Sequence, residues 1–544
     1  MTTRHWIDSY GSIPSDIEPD GFRSLNVMLN EAMTGFADKP AFRVEDRTLS
    51  YADVDLLSAS LAAFLQKAAG VRKGDRVAVM LPNVLEFPVT FIAATKIGAI
   101  EVNVNPLYTA PELEHQLNDA GADVIVVCSE SMGTLADVID CTRIHTVISV
   151  APDEPGEASD PCAGHPVLRG KAITFMTALA KGQQLVYEPV YPSGDDLLLL
   201  QYTGGTTGLS KGAALSHRNL VANILQFRAF LPDAQRPGRE VVVTALPMYH
   251  VFAFMANFLS YFVIGAENWL VANPRKIDTL IDILETARPT VFFGVNTLYA
   301  GLVNHPRLKE VDWSRLRLSG GGGSAMFEAV SAQWEKATGN FIREGYGLSE
   351  TSPIVSFNPQ SINDFGGTAG LPVPSTDVKL LDENGCEAGI GTAGEICVRG
   401  PQVMRGYWNA PEANKQAFTP DGYFRTGDIG VFNDKGFLAI VDRKKDMVIV
   451  SGFNVYPNEV EAVITALPGV RECACVAVPD EKTGEAVKLF VVQAKEEGVD
   501  EETLIAHCRS RLAAYKVPKI IRFVDELPKT AVGKILRRAM HEVS

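Results

Sequence analysis

Hydrophobic positions in the first 150 residues switch between two periods. Apolar residues recur at helical spacing over Leu57–Ala69 and Val89–Ala99, whereas Arg76–Met80 and Val124–Cys128 are apolar runs of strand length. The alternation predicts βα units around a mostly parallel sheet. From Ala151 to Pro192 the chain turns rich in Pro, Gly and acidic residues and reads as an irregular connection. A second series follows, with strands at Leu197–Leu200, Val241–Leu246, Thr290–Val295, Leu316–Ser319 and Phe341–Glu344 and a helix at Ile277–Ala287. The last three strands run into Gly294, Gly320 to Gly323, and Gly345 with Gly347. Loops at the carboxyl ends of parallel strands are where α/β proteins bind ligands. A β-rich stretch from Gly394 to Val441 then yields to a short α+β series. The expected organisation is a large α/β domain over residues 1–441, with βα-rich subdomains and a β-rich one, a junction at 442–446, and a small α+β domain over 447–544.

Composition narrows the class. At 544 residues the chain exceeds one hydrophobic core, and 46% hydrophobic with 21% charged residues describes a globular protein. The eight cysteines form no CxxC pair, and Cys473 and Cys475 share one face of a strand, so buried reduced thiols are expected. The N-terminus is polar and lacks a signal-peptide pattern. Val251 to Ala266 is interrupted by Asn257 and Ser260 and falls short of the about 20 residues of a membrane span. A soluble, cytoplasmic protein follows, peripheral at most at the inner face of a membrane. A net charge of −15 argues against nucleic acid as a partner. Tyr515 to Arg538 nevertheless carries seven basic residues against Asp525 and Glu526, which points to a small anionic ligand or to a solvated basic tail.

The chemistry-bearing motifs lie after strands. Tyr202 to Gly212 is rich in Gly and Thr, and a helix N-capped by Ser216 comes next. Its backbone N–H groups, hydroxyls and Lys211 are donors for phosphate oxygens, although Lys211 lies three residues after Gly208, unlike a Walker A lysine. Glu344 to Thr351 offers an aromatic face at Tyr346 for adenine and a carboxylate at Glu350 for Mg²⁺. Asp428 suits ribose hydroxyls, Asp442-Arg443 adds polar groups, and Lys534 sits on a glycine turn near the C-terminus. Taken singly, Asp428 reads equally as a turn residue and Lys534 as a surface lysine.

The joint order of these pieces resembles the adenylate-forming superfamily of acyl-CoA synthetases, luciferases and peptide-synthetase adenylation domains. The resemblance spans Ser50 to Arg538 through Thr203–Gly212, Pro247–His250, Gly320–Ser324, Tyr346–Thr351, Tyr423–Asp428, Asp442–Glu459 and Pro528–Lys534. Within it, Val441–Met447, Ser451–Glu459 and Val532–Arg538 look most like bacterial long-chain fatty-acid–CoA ligases. One departure is the acidic, proline-bearing segment Pro152 to Gly164, where many long-chain relatives carry basic-apolar helical sequence.

The resemblance implies ATP, Mg²⁺ and CoA as cofactors and co-substrates and a medium-to-long-chain fatty acid, about C8 to C18, as the acid; each buried methylene adds about 0.8 kcal/mol. ATP and AMP would be held by Thr203, Gly204, Gly205, Thr206, Thr207, Gly208, Lys211, Gly322, Gly323, Glu344, Gly345, Tyr346, Gly347, Thr351, Asp428, Arg443 and Lys534. Thr203 and Glu350 would hold the metal, and Lys534, His250 and Glu350 would carry the chemistry. Phe254, Val295 and Gly322 would wall the acyl site, Lys445 would be the hinge of a mobile C-terminal domain, and Gly452 would line the CoA channel. His250, Phe252 and Phe254 also read as core residues. The alternatives are a ligase for another hydrophobic acid, an adenylating enzyme with a non-CoA acceptor, and a nucleotide-binding regulatory protein without turnover. The oligomeric state stays open, a homodimer among the options.

Overall fold

The computed structural model describes residues 4–151, 160, 162, 164–203, 210–451, 453–480, 482–494, 498–530 and 533–540. Two mostly parallel sheets dominate the first 372 residues. In the seven-stranded sheet, Val124–Cys128 and Arg76–Met80 pair in parallel, then come Ile100–Asn103 and Leu197–Thr203, and Lys211–Ser216 closes the edge antiparallel. Val124–Cys128 is buried at every position, as a continuous Val/Ile run in a doubly covered parallel sheet must be. The nine-stranded sheet has Val241–Thr244, Val291–Gly294, Leu318–Gly321 and Ile342–Gly347 side by side in parallel. Helices Glu86–Lys96 and His217–Phe230 contribute to a core cluster shared by both sheets.

Local signals set the helix ends. Ser216 caps His217–Phe230 in a box closed by the Asn219 side chain, as expected. The first predicted helix is displaced: it runs Tyr51–Ala63, because Ser50 and Asp53 form a capping box upstream of Leu57, and a π turn over Phe64–Ala68 ends it. The second helix starts at Glu86 because Pro88 fits its first turn. The strand Lys211–Ser216 lies where the sequence reads as loop leading directly to a helix; its short Gly-Ala-Ala core has little β-propensity of its own and is held by pairing with Leu197–Thr203.

The β-rich part is an antiparallel sheet of Asp377–Leu381, Gly394–Arg399, Phe424–Phe432 and Leu438–Arg443. It continues two residues beyond the expected boundary, so Asp442 and Arg443 are strand residues paired with Ile429 and Asp428. The turn Lys444–Asp446 follows, closed by Lys444 N–H on Gly427 C=O at 3.0 Å and Asp446 N–H on Arg443 C=O at 3.0 Å. The remaining chain has its own core, with Val448, Val460, Ile464, Cys473, Cys475, Leu489 and Leu504. Cys473 and Cys475 are buried and form no disulfide. No helix among the described residues is long and apolar enough to cross a membrane.

Four of the seven basic residues of the C-terminal stretch are paired with carboxylates. Lys516 pairs with Glu459 at 2.6 Å, Lys519 with Asp480 at 3.0 Å, Lys529 with Glu472 at 2.7 Å and Arg537 with Glu461 at 2.8 Å. Charges clustered in sequence are neutralised by carboxylates that folding brings alongside. Glu461 is almost fully buried and also accepts from Cys475 N–H. Arg537→Met is therefore expected to destabilise the C-terminal domain by about 3–5 kcal/mol, through an uncompensated buried charge. Hydrogen exchange or limited proteolysis of that domain checks this, with the rest of the chain unchanged.

Candidate active site

A cleft of about 3220 Å³ opens where the parallel strands end and the antiparallel and C-terminal sheets approach. Asp428 and Arg443 face each other across neighbouring strands, with Arg443 Nε 3.2 Å from Asp428 Oδ1. Tyr346, on the strand Ile342–Gly347, donates its hydroxyl to Asp428 Oδ2 at 2.7 Å. Burial pushes the Asp428 carboxyl up, and Arg443 opposes that shift. Tyr346 is thus fixed on the cleft wall by its hydroxyl rather than held by packing alone.

Lys534 reaches this wall from the C-terminal domain. Its backbone N–H is 3.1 Å from Thr530 Oγ1 in a turn that passes Gly533 at φ +80°. A β-carbon at Gly533 would stand 2.7 Å from Thr297 Oγ1 and 3.3 Å from Val295 Cγ2, so only glycine lets the turn dock there. The Lys534 side chain lies over Gly323, where a β-carbon would be 3.3 Å from Cε. Burial lowers the Lys534 ammonium to about 8; Arg443 adds to that, and Asp428 and Glu350 oppose it.

Glu350 is buried on the cleft, and its Oε1 accepts from Tyr407 OH at 2.8 Å. Burial raises its pKa and Tyr407 counters the rise. Lys211 Nζ lies 5.5 Å from the Tyr407 ring centre, and Thr203 is the strand partner of Lys211. Among the described residues no group of three His, Cys, Asp or Glu side chains could cage a metal. A lone carboxylate with a nearby hydroxyl suits Mg²⁺, which takes one or two carboxylates and completes its shell with substrate phosphates. Its buried charge has capacity left for a cation.

His250 Nδ1 accepts from Phe252 N–H at 3.3 Å, and burial followed by the charge of Lys534 lowers its pKa to about 3. The ring is neutral, with its proton on Nε2. Glu344 is pushed up to about 8 by burial; Met326 N–H bonds it, while Oε2 has no partner. Gly322, Gly323, Gly345 and Gly347 line the cleft. Thr351 does not: it is fully buried, with its hydroxyl bonded to the backbone of Leu348 and Pro353. Lys445 lines the cleft within its turn, its pKa lowered by burial. The expected contacts of Gly204, Gly205, Thr206, Thr207, Gly208 and Gly452 lie outside the described residues.

Two acyl-wall expectations need correction. Phe254 is fully buried, with its ring 4.8 Å from Phe91 and 5.8 Å from Phe258, and it packs the core. The resemblance that put Phe254 on the acyl wall does not say which face of the helical segment Ala253–Leu259 packs on the core, and here Phe254 is on that face. Phe252 lines the cleft instead, with Phe227, Ala256, Phe293 and Phe357. Val295 packs on the Gly533 turn and is not part of the cleft wall, whereas Gly322 is. Tyr407 was not foreseen, because no spacing rule links it to Glu350, 57 residues earlier.

Residues 29–408 match the family model of AMP-binding enzymes, and residues 459–534 match that of the AMP-binding enzyme C-terminal domain. The chain belongs to the AMP-binding enzyme family. A long-chain-fatty-acid–CoA ligase of Escherichia coli O157:H7 is 45% identical over 99% of this chain and 98% of its own length. The Bacillus subtilis ligase of the same name is 38% identical over 100% and 98%. Among solved structures, ATP-bound MatB from Rhodopseudomonas palustris is 31% identical and superposes with a TM-score of 0.84 over 96% of this chain and 99% of MatB. Apo MatB, at 32% identity and the same coverage, gives 0.74.

The two phenylalanines separate core from cleft. Phe254→Ala is expected to cost about 3–5 kcal/mol of stability, whereas Phe252→Ala leaves the melting temperature nearly unchanged and alters acid binding. Thermal denaturation with and without a bound fatty acid checks both.

Proposed function

We propose that this chain activates a medium-to-long-chain fatty acid to its acyl-CoA through an acyl-adenylate. A carboxylate oxygen attacks the α-phosphorus of ATP, the bond to the β-phosphate breaks and pyrophosphate leaves. The CoA sulfur then attacks the acyl carbon, the bond to AMP breaks and AMP leaves with the electron pair. The carrying observation is Lys534, delivered from the C-terminal domain into a cleft that also holds Asp428, Glu350 and His250, in a chain 45% identical to a fatty-acid–CoA ligase.

In this reading Asp428, supported by Arg443, takes the ribose hydroxyls, and Tyr346, Gly345 and Glu344 border adenine. Thr203 and Glu350 would hold Mg²⁺, which would neutralise phosphate charge, and Lys211 with the Gly204–Gly208 segment would take the outer phosphates. Lys534 meets the α-phosphate and the attacking carboxylate, where a fixed charge in a dry site is worth most. Neutral His250 donates from Nε2 beside them. The acyl chain runs along Phe252, Ala256 and Phe293, past Gly322. Thioester formation requires a different face, so the domain after residue 446 turns about Lys445 and brings Gly452 to the pantetheine arm. The better superposition on ATP-bound than on apo MatB supports assigning the present arrangement to adenylation. Association with a membrane would be peripheral.

Pyrophosphate release across acids from acetate to oleate, with and without CoA, tests the function. Release that peaks at acetate or an aromatic acid counts against the fatty-acid assignment. Lys534→Ala is expected to raise the adenylation barrier by about 3 kcal/mol or more and to spare thioester formation from supplied acyl-adenylate. The pH dependence has a definite sign. Lys534 titrates near 8 in the free enzyme, so adenylation kcat/KM falls as pH rises through that value and the ammonium is lost. Lys534→Arg, weaker overall, moves that limb upward because guanidinium keeps its proton; an unmoved limb assigns it to another group.

A further inference from the structure

We propose that His115 and Asp119, neither of which touches a reacting atom in the mechanism above, are positioning residues that hold the paired Thr203 and Lys211 in place relative to Glu350. The inference rests on the adenylation reading of this cleft. Both side chains project from the helix Ala110–Ala120, four residues apart and so on one face. The helix start is fixed by Thr109 and Glu112 in a capping box. His115 Nε2 donates to Ser210 C=O at 2.9 Å, and Asp119 Oδ2 accepts from Tyr202 OH at 2.5 Å. Tyr202 directly precedes Thr203 and Ser210 directly precedes Lys211. One rigid helix therefore grips both arms of the hairpin, one residue before each group assigned to metal and phosphate.

The grip continues to the third group. The Asp119 carbonyl accepts from Trp408 Nε1 and Asn409 Nδ2, each at 3.1 Å. Trp408 N–H also bonds Gly212 C=O at 2.7 Å, which ties this segment to the hairpin. Its neighbour Tyr407 holds Glu350 and lies beneath Lys211. Thr203, Lys211 and Glu350 are thus referred to a single helix, through side chains that line the cleft rim or lie behind it. Such preorganisation matters most for a reaction accelerated by placement, in which a misplacement of about 1 Å costs about 100-fold.

The test uses the full chain and four variants: His115→Ala, His115→Gln, Tyr202→Phe and Asp119→Ala. Gln retains a donor at the reach of Nε2, and Phe removes only the hydroxyl. His115→Ala and Tyr202→Phe are each expected to lower kcat/KM for ATP in pyrophosphate release by about 10- to 100-fold. Both should weaken Mg·ATP binding in calorimetry and leave thioester formation from supplied acyl-adenylate unchanged. His115→Gln should recover most of the loss, and Asp119→Ala should match Tyr202→Phe. The proposal is overturned if His115→Ala and Tyr202→Phe bind and use Mg·ATP like the parent. Loss of both half-reactions in step with the melting temperature, unrescued by Gln, also overturns it and assigns the contacts to fold stability. A parent chain that binds Mg·ATP but releases pyrophosphate with no fatty acid would refute the proposed function instead. The clamp would then stand or fall on Mg·ATP affinity in the same variants.

Discussion

One buried ammonium group, set in the field of charges from other parts of the chain, organises this protein. Lys534 sits at the tip of a C-terminal turn, yet the charges that act on it, Arg443, Asp428 and Glu350, belong to strands and turns far earlier in the sequence. An isolated cation loses hydration on burial, and its pKa falls accordingly. The carboxylates suffer the opposite shift for the same reason. Each is tolerated because the others are near and because Arg443, Tyr346 and Tyr407 supply hydrogen bonds or countercharge.

Much of this was legible in the sequence, for identifiable reasons. Arg76–Met80, Val124–Cys128 and Ile277–Ala287 coincide with their predicted bounds because their patterns are strong and their ends unambiguous. Glycine-bearing loops after strands marked the cleft, since strand direction fixes where those loops gather. What escaped was set by contacts distant in sequence. The strand Lys211–Ser216 depends on its partner, and Tyr407 finds Glu350 only in three dimensions.

The misplacement of Phe254 has a different origin. Phe252 and Phe254 are two residues apart in a continuous apolar run, and hydrophobicity does not distinguish them. Helical period only puts them on opposite faces, and packing against Phe91 and Phe258 is what makes the Phe254 face the core one. The basic C-terminal stretch, open in the sequence between an anionic ligand and a solvated tail, is divided in space: Lys534 lines the cleft, and four of its basic neighbours are paired. Linear charge counting treats neighbours in sequence as neighbours in space, and here Glu459, Glu461, Glu472 and Asp480 are the actual neighbours.

The separate core of the C-terminal domain that carries Lys534 bears on what a loss of activity would report. Val448, Ile464, Leu489 and Leu504 belong to a cluster distinct from the one that joins the two large sheets. Proteins open in such units, each with its own free energy, so the C-terminal unit has an opening equilibrium of its own. Heating could therefore withdraw the lysine while most of the secondary structure, and the signal that measures it, persists. Inactivation and bulk melting are then distinct observables, and enzyme assay is the more sensitive gauge of the smaller unit.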